Sequence, residues 1–531
     1  MDEELRAQQA GGEATSESPF STRPRIEFDE INLPEVLDKT QEALAACGAP
    51  LFQRSGYLVH VYRLERDSGK HETVRRKTGA LIIRKIERPR VREYLIKYVD
   101  YYEVKQGIQK PIPAPVMLAS HMLARQDRWR FRVLTGIIEC PTILADGSLL
   151  ASEGYHPESG LMLDLGDLKV PRIPEAPTLE EAKAALEVIK DLIGGFPFVD
   201  PAASSAALAA ILTALVRRSM WDAPVFGIDA TKPATGKSLL CDVITLIATG
   251  RRATVMNQPP SEEEASKTWH SLLLAGDPVI VVDNITHPVG GATICSILTQ
   301  PYFQRRVLGN KAMGGVPTNI VVLCNGNNLA FAGDLPSRAI ISRMDAGMEH
   351  PETRRFKRDL LSYIPEHRGE IVAAALTAMR GFVAAGRPMS FEPSRFKAFD
   401  ALVRGCLVWC GEPDPMESQA SIEASDPVRA DLATIIDAMS KCFDESSAIQ
   451  FPTANDIVAR ANQHDDDGQA LASALRPHMP RGIINKNAVS RLLGSYRGTI
   501  VGGHRIRRED DKHTKVTRFW VERVPNNPGG G

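Results

Sequence analysis

The sequence lacks any run of about 18 or more consecutive apolar residues, the length that a helix needs to cross a bilayer. Residues 1–20 are acidic and polar, so we expect neither a signal peptide nor a transit peptide. Together these absences predict a cytoplasmic protein that does not contact a membrane.

The sequence also lacks an excess of charge of either sign, because 64 Lys and Arg residues face 65 Asp and Glu residues. No overall electrostatic field therefore indicates a partner. Cysteine is scarce, with eight among 531 residues. Only Cys406 and Cys410 lie one helical turn apart, and neither a second pair nor a histidine stands at zinc-binding spacing. We expect buried thiols in a reducing cytoplasm.

The composition, 43% hydrophobic and 24% charged, is that of an ordinary globular protein. The chain is long enough for roughly three or four domains. We predict a multidomain α/β protein whose central part, with alternating strands and helices, contains a parallel sheet. The predicted divisions are a disordered tail at 1–22, an α+β N-terminal domain at 23–169, a linker at 170–178, the α/β core at 179–352, a helical lid at 353–411, a linker at 412–426, a last domain at 427–525 and a disordered tail at 526–531.

The N-terminal domain combines predicted strands at 55–65 and 72–86 with predicted helices at 34–48 and 90–104. Its residues 54–98 carry thirteen Lys and Arg against five Asp and Glu. This excess predicts either a solvated basic face or a nucleic-acid surface, for which tyrosines between the cations are suited. Those tyrosines are Tyr57, Tyr62, Tyr94 and Tyr98.

A phosphate-binding loop is predicted where an apolar run ends in a turn-rich segment and Gly236-Lys237-Ser238 opens a helix. In such a loop, backbone N–H groups cradle the phosphates of ATP, the lysine neutralises them and the hydroxyl holds Mg²⁺. Thr231 stands where the motif has its first glycine, and we expect it to alter only local loop geometry. The predicted nucleotide contacts are Thr231, Pro233, Ala234, Thr235, Gly236, Lys237, Ser238 and Leu239.

Two further strands are predicted to bring polar side chains to the same edge of the sheet. Four aliphatic residues precede Asp283, a pattern typical of a buried parallel strand that delivers a carboxylate to the ligand-binding edge. Asp283 is therefore a predicted Mg²⁺ ligand, through water, together with Ser238. The strand that starts at residue 319 ends in amides, of which Asn327 or Asn328, and then Asn325, would orient the attacking water or contact the γ-phosphate. Asparagines after a strand are also ordinary turn formers.

The segment GDLPSRAIISRMD at 333–345 supplies Arg338 and Arg343. Either could be the arginine that a ring ATPase presents to the γ-phosphate of a neighbouring subunit, with Arg338 the first choice. The alternative is a surface helix with two salt-bridged arginines.

The phosphate loop, VIVVDN, CNGNN and GDLPSRAIISRMD, in this order, resemble the AAA+ ATPase core of superfamily 3-type replicative helicases. More narrowly, they resemble helicase or primase-helicase proteins of prophages and integrated mobile elements. The resemblance covers about residues 180–385. It implies a RecA-like ATPase core, a homo-oligomeric ring that is usually hexameric, ATP and Mg²⁺ at subunit interfaces, single-stranded DNA in the pore, and a separate primase among the partners.

That family usually carries a basic β-hairpin that faces the central pore, between the second acidic motif and the amide-bearing strand. Gly309-Asn310 is a strong hairpin-turn signal between two short apolar runs. Lys311 would lie at or beside the tip, with Arg306 on the same hairpin, where both could hold DNA phosphates without reading sequence. A plain solvent-exposed hairpin is the alternative.

Asn284 departs from the family, whose members carry Asp or Glu after the metal-binding acid. An amide can position water but cannot accept its proton. Either ATP hydrolysis is slow or another carboxylate accepts the proton of the attacking water. Glu263 or Glu264 could replace it, because RecA-like sheets place the strand before them beside the phosphate loop. The alternative is an acidic helix start that the helix dipole favours.

The last domain holds eleven Lys and Arg against four Asp and Glu over residues 481–523. A helix that begins near Asn487, followed by two basic strands, is typical of a winged helix, which binds duplex DNA or a protein. The candidate DNA contacts are Ser490, Arg491 and Arg497 near the helix and Arg505, Arg507 and Lys512 on the wing.

The leading hypothesis is an ATP-dependent DNA helicase or translocase in the replication of a phage or mobile element. A nucleotide-gated DNA-binding switch, in which Asn284 keeps turnover low, is the alternative. A protein-remodelling AAA+ machine would need an aromatic-hydrophobic pore loop, and Lys311 argues against it.

Overall fold

The computed structural model describes residues 23–68, 72–126, 128–304, 314–348, 350–351, 354, 356–419, 422, 427–444, 447–496, 498–510 and 516–524. Arg306, Lys311, Arg497 and Lys512, four of the candidate DNA contacts, lie outside these ranges, as do both predicted tails, 1–22 and 526–531.

The N-terminal part packs two small sheets against three helices. Its elements are β1 (Arg25–Glu27), α1 (Leu33–Ala46), β2 (Phe52–Arg54), β3 (Tyr57–Arg63), β4 (Val74–Arg75), β5 (Leu81–Lys85), α2 (Arg88–Tyr98), β6 (Asp100–Lys105), β7 (Ile108–Ile112), α3 (Val116–Ala124) and β8 (Arg132–Val133). The sheets have the orders β1-β6-β7 and β5-β3-β2-β8. Leu44, Val91, Leu95, Leu118 and Met122 are fully buried where the three helices meet.

Two predictions for this part need correction. The strand expected at 72–86 is two separate strands, β4 and β5, which belong to different sheets. The helix expected at 90–104 ends at Tyr98, and the chain continues as β6. The residues after Tyr98 favour a strand because Tyr101 turns inward and its hydroxyl lies 3.2 Å from Thr40 Oγ1.

Short strands lead from this part to the central one. They are β9 (Gly136–Ile138), β10 (Thr142–Ile143), β11 (Leu149–Leu150), β12 (Gly154–His156) and β13 (Leu161–Leu163). Ile143 already belongs to the core of the central part.

The central part is a parallel sheet flanked by helices. Its elements are α4 (Leu179–Ile193), α5 (Pro201–Val216), β14 (Val225–Ala230), α6 (Lys237–Thr249), β15 (Thr254–Asn257), α7 (Glu262–Ala275), β16 (Val279–Ile285), α8 (Ala292–Thr299), β17 (Tyr302–Phe303), β18 (Val316–Pro317), β19 (Val321–Asn327) and β20 (Ala339–Met344). The sheet order is β20-β14-β19-β16-β15-β4, with five parallel strands and β4 antiparallel at the edge.

This order corrects one expectation. The strand that follows the phosphate-loop helix, β15, does not lie beside β14, because β19 and β16 stand between them. The outer strand comes from the N-terminal part, since β4 pairs with β15. The division at 169 therefore does not separate two independent sheets.

The helices after the sheet complete the same core. They are α9 (Leu360–Ala384), α10 (Lys397–Phe399), a π-helical turn (Asp400–Arg404) and α11 (Gly405–Trp409). Ile364, Leu376, Phe382 and Phe399 pack in one hydrophobic cluster with the sheet. The described part of the segment expected as a helical lid at 353–411 thus shares one hydrophobic core with the sheet.

The last part has a separate core. It comprises α12 (Pro427–Cys442), α13 (Ala454–Ala461), α14 (Asp466–Leu475), α15 (Lys486–Ser495), β21 (Ile500–Val501), β22 (His504–Asp510) and β23 (Thr517–Arg523). The three strands form an antiparallel sheet, and Asn485 caps α15 by accepting from the Ala488 N–H. The predicted helix and basic hairpin are confirmed at this level.

Among the described helices, none is both long and apolar enough to span a bilayer. All eight cysteines are unpaired thiols and seven are buried, as predicted, but Cys47 is exposed.

Candidate functional site

The loop between β14 and α6 has the backbone geometry of a tight turn around a helix start. Ala234 (φ 60°) and Gly236 (φ 112°) are both left-handed, and Thr235 Oγ1 donates to the Lys232 carbonyl oxygen at 2.7 Å. A Cβ on Gly236 would also meet the Phe196 ring at 3.3 Å, so this position favours glycine for both conformation and space. The loop delivers the chain to the N-terminus of α6, where backbone N–H groups have no intrahelical partner.

Lys237, the first residue of α6, is turned back onto this loop. Its Nζ donates to the Lys232 carbonyl oxygen at 3.1 Å and to Asn327 Oδ1 at 2.6 Å. Partial burial lowers the pKa of Lys237, while the nearby carboxylates of Asp229 and Asp283 act in the opposite direction. The ammonium group therefore lies at the base of the loop with two neutral oxygen acceptors that phosphate oxygens could replace.

Ser238 and Asp283 meet through one amide. Asn325 Nδ2 donates to Ser238 Oγ at 3.0 Å and to Asp283 Oδ1 at 2.7 Å. Asn325 is buried, and its Oδ1 has no hydrogen-bond partner among the described residues. A hydroxyl and a carboxylate oxygen thus lie within hydrogen-bond distance of the same nitrogen, beside an acceptor that still needs a donor.

These residues fit ATP with Mg²⁺. Hydroxyl and carboxylate oxygens are the ligands that Mg²⁺ takes from proteins, usually with several waters retained. The orphaned Asn325 Oδ1 could accept a hydrogen bond from such a water, and Lys237 with the start of α6 suits the phosphates. The residues that would hold the group are Lys237, Ser238 and Asp283.

The other candidate amides do not share this centre. Asn328 is left-handed (φ 50°), and its backbone N–H donates to the Ala230 carbonyl oxygen at 3.1 Å. Asn284 is also left-handed (φ 54°) and exposed, at a shift in the register between β16 and β19. Asparagine tolerates this conformation better than most residues. The position after Asp283 therefore carries an exposed amide on a kinked strand.

Glu263 and Glu264 lie in the first turn of α7, after β15. Both carboxylates pair with Lys267 Nζ at 2.7 Å, and their side chains are 77% and 49% exposed. Because two strands separate β15 from β14, the premise that placed them beside the phosphate loop is wrong. Their geometry is that of an acidic helix start.

Arg338 and Arg343 both have partners within the chain. Arg338 Nη1 donates to the Cys295 carbonyl oxygen at 3.1 Å and to Thr299 Oγ1 at 3.3 Å, which secures the end of α8. Arg343 Nε donates to Asp229 Oδ2 at 2.9 Å across the β14–β20 pair. Arg343 therefore lies at the base of the phosphate loop of its own chain, and a role towards a neighbouring subunit stays a prediction for either arginine.

The wing arginines are also engaged. Arg507 Nε donates to Glu522 Oε2 at 2.7 Å, and Arg505 donates to the same oxygen. These two hydrogen bonds lower the pKa of Glu522. Arg491 is exposed on α15, where its Nε contacts the Asn487 carbonyl oxygen at 3.3 Å.

Sequence reasoning missed a contribution from the N-terminal part. A cavity of about 420 Å³ opens from Ser238, Asp283 and Asn325 and runs along α6. Its opposite wall carries cations from β4 and the residues beside it. The lining residues from the N-terminal part are Asp67, Ser68, Arg75, Arg76 and Lys77. The only signal for them was the local excess of Lys and Arg.

No protein-family model and no curated protein matches the chain. Among solved structures, it is similar to an A-form apo structure of the C-terminal region of NrS-1, with 12% identity, 87% of this chain and 96% of that chain covered, and a TM-score of 0.33. A second A-form apo structure of that region gives 11% identity, coverage of 91% and 98%, and a TM-score of 0.35. Similarity at this level carries no argument about fold or function.

Proposed function

We propose that the chain is an ATPase that binds ATP with Mg²⁺ at the loop between β14 and α6. The observation that supports this most is that Ser238 and Asp283 meet on Asn325 while Lys237 contacts Asn327, at the end of the same strand, β19, of the parallel sheet. Lys237 binds the β- and γ-phosphates, and Ser238 and Asp283 hold the metal ion. Phosphate oxygens compete for Lys237 Nζ, so nucleotide binding releases Asn327 and couples the end of β19 to the occupancy of the site.

We further propose that ATP hydrolysis drives movement along DNA in replication of a phage or mobile element. The order of the motifs supports this step through its resemblance to replicative helicases. The basic hairpin of β22 and β23 supplies a surface for contacts with the DNA backbone. Subunits assemble as a homo-oligomeric ring, and Lys311 contacts the single strand. Arg338 stays the first choice for a contact in trans.

A nucleotide-gated DNA-binding switch is the second candidate. One observation favours it, namely the exposed Asn284 where a water-activating carboxylate is expected. Without a base at this position, ATP could order the assembly on DNA while turnover stays low.

An unwinding assay on forked DNA separates the two candidates. We expect the wild type to show ATPase activity stimulated by single-stranded DNA and to displace the strand. Lys237→Ala should lose both activities, whereas Lys311→Ala should keep basal ATPase activity and lose unwinding. Nucleotide-dependent DNA binding without displacement by the wild type would exclude the helicase and favour the switch. Normal unwinding by Lys311→Ala would exclude its role as a DNA contact.

A further inference from the structure

We propose that Arg75 contacts the terminal phosphate of the bound nucleotide from within the same chain. This proposal rests on the proposed function, because it assigns a further residue to the same site. The residue comes from the N-terminal part, which thereby gains a direct contact with the nucleotide.

The first step is that β4 is a strand of the central sheet. β4 pairs with the edge of β15 that faces away from β16, with Arg75 opposite Val255 and Val74 opposite Met256. Arg76 fixes this position, since its Nε and Nη2 donate to the two oxygens of Asp277 at 2.8 and 2.6 Å. Both side chains are largely buried, 16% and 4% exposed, and paired bidentate contacts of this kind are strong.

The second step is that Arg75 shares a face of the sheet with Asp283. Directly paired residues point to the same side, and Val255 pairs in turn with Val281. Asp283 follows Val281 by two residues and lies on that same face, nearer the ligand-binding edge. The backbone of Arg75 therefore lies two strand spacings, about 10 Å, to the side of β16. Along the strand direction it lies about 7 Å below Asp283. Arg75, Val255, Val281 and Asp283 all line one cavity.

The third step is the charge of that cavity. Its cations are Arg75, Arg76, Lys77 and Arg252. Three of them have a carboxylate partner: Arg76 pairs with Asp277, Lys77 with Asp67 and Arg252 with Asp242, each at 2.6 Å. The Arg75 side chain has no hydrogen bond or ion pair within the described part of the chain. It is an exposed, uncompensated cation that faces the metal end of the nucleotide site.

A guanidinium group in this place suits a phosphate. Arginine binds phosphate oxygens through paired N–H donors, and the contact is charge-assisted. The cavity opens from Ser238 and Asp283, which hold the metal ion, so the phosphate that extends beyond the loop is the one within reach. Arg75 therefore discriminates ATP from ADP, and loss of the terminal phosphate removes its anionic partner.

The test compares ligands with and without that phosphate. Dissociation constants for ADP and for β,γ-imido ATP, both with Mg²⁺, are measured by calorimetry for the full chain. Arg75→Ala should weaken the imido analogue about tenfold, which corresponds to about 1.4 kcal/mol, and leave ADP unchanged. Arg75→Lys should recover part of the loss. Arg66→Ala removes a charge from the same N-terminal segment outside the cavity and should change neither constant.

Two outcomes would overturn the proposal while the proposed function stands. Arg75→Ala could keep the wild-type ratio of the two constants, or it could weaken both ligands equally, as expected if the substitution merely detaches β4. Failure of the proposed function is distinct, because the wild type itself would then bind neither ligand.

Discussion

At the scale of single residues, Asn325 is the side chain that joins the two metal-binding candidates. It donates to Ser238 and to Asp283 with one nitrogen, while Asp229 at the end of β14 accepts from Arg343. A neutral amide can bridge a hydroxyl and a carboxylate without adding negative charge where the phosphates must bind. Lys237 completes the group from the start of α6.

The pKa of Lys237 leads to a prediction about pH. Burial lowers it from the ordinary lysine value, and bound phosphates raise it again by favouring the charged form. ATP binding should therefore be accompanied by proton uptake at pH values near the lowered pKa of Lys237, and affinity should fall as the pH rises through that pKa towards the ordinary lysine value of 10.5. Calorimetry of β,γ-imido ATP in buffers of different ionisation enthalpy measures both. An affinity that stays constant over this range would contradict a lysine contact of lowered pKa.

At this scale the sequence predicted the position of residues whose place follows from a motif, and their roles stay predictions. Lys237, Ser238 and Asp283 lie together in the structure because a helix start and a buried parallel strand both end at one sheet edge. The sequence did not show which of the three nearby amides bridges Ser238 and Asp283 and which one contacts Lys237. That depends on where β19 ends and on the register shift between Val282 and Ile285, and neither has a signature in composition. The sequence accordingly favours Asn327 and Asn328 over Asn325 as the amide of the site.

At the scale of elements, the β22–β23 hairpin limits its own charge. Arg505 and Arg507 lie on one face and both contact Glu522 from the opposite strand. The arginines nominated for DNA backbone contacts are thus partly compensated in the free protein. Phosphates would have to compete with this carboxylate.

Removal of Glu522 should therefore strengthen DNA binding. Glu522→Ala frees two arginines, and we expect affinity for duplex DNA to rise several-fold, with a steeper salt dependence. Glu509→Ala is the matched control, because it removes the same charge from β22 and, although Arg518 stands opposite it in the register, its carboxylate forms no ion pair within the described residues. Fluorescence anisotropy at several salt concentrations measures both variants. Equal effects of the two substitutions would show only a general charge effect, and unchanged affinity for Glu522→Ala would rule out this face as the DNA contact.

The elements themselves were largely accessible from sequence, but their order in the sheet was not. The phosphate-loop helix and α15 with its hairpin are both confirmed. Strand order depends on contacts between distant segments, so β15 could not be placed from its neighbours in the chain. A two-residue strand such as β4 is too short to show any periodicity.

At the scale of the whole molecule, buried arginines join the N-terminal part to the central sheet. Arg54 donates to the Leu134 and Leu273 carbonyl oxygens at 2.9 and 2.8 Å, and burial lowers its pKa to about 9. Arg368 on α9 donates to the Ile247 and Ala248 carbonyl oxygens at the end of α6. The helix that begins with Lys237 is thus anchored at its far end by a helix of the predicted lid.

The central claim is that the loop before α6 binds ATP with Mg²⁺ through Lys237. The most direct measurement is a calorimetric titration of β,γ-imido ATP with Mg²⁺ into the wild type, Lys237→Ala and Lys183→Ala. Lys183 is the matched control, because it lies on α4 outside the loop and its Nζ pairs with Glu180 at 3.5 Å. The wild type and Lys183→Ala should bind alike, and Lys237→Ala should bind at least about a hundredfold more weakly, the effect of losing a charged hydrogen bond of about 3 kcal/mol. Equal binding by Lys237→Ala and the wild type, or no binding by the wild type, would contradict the account.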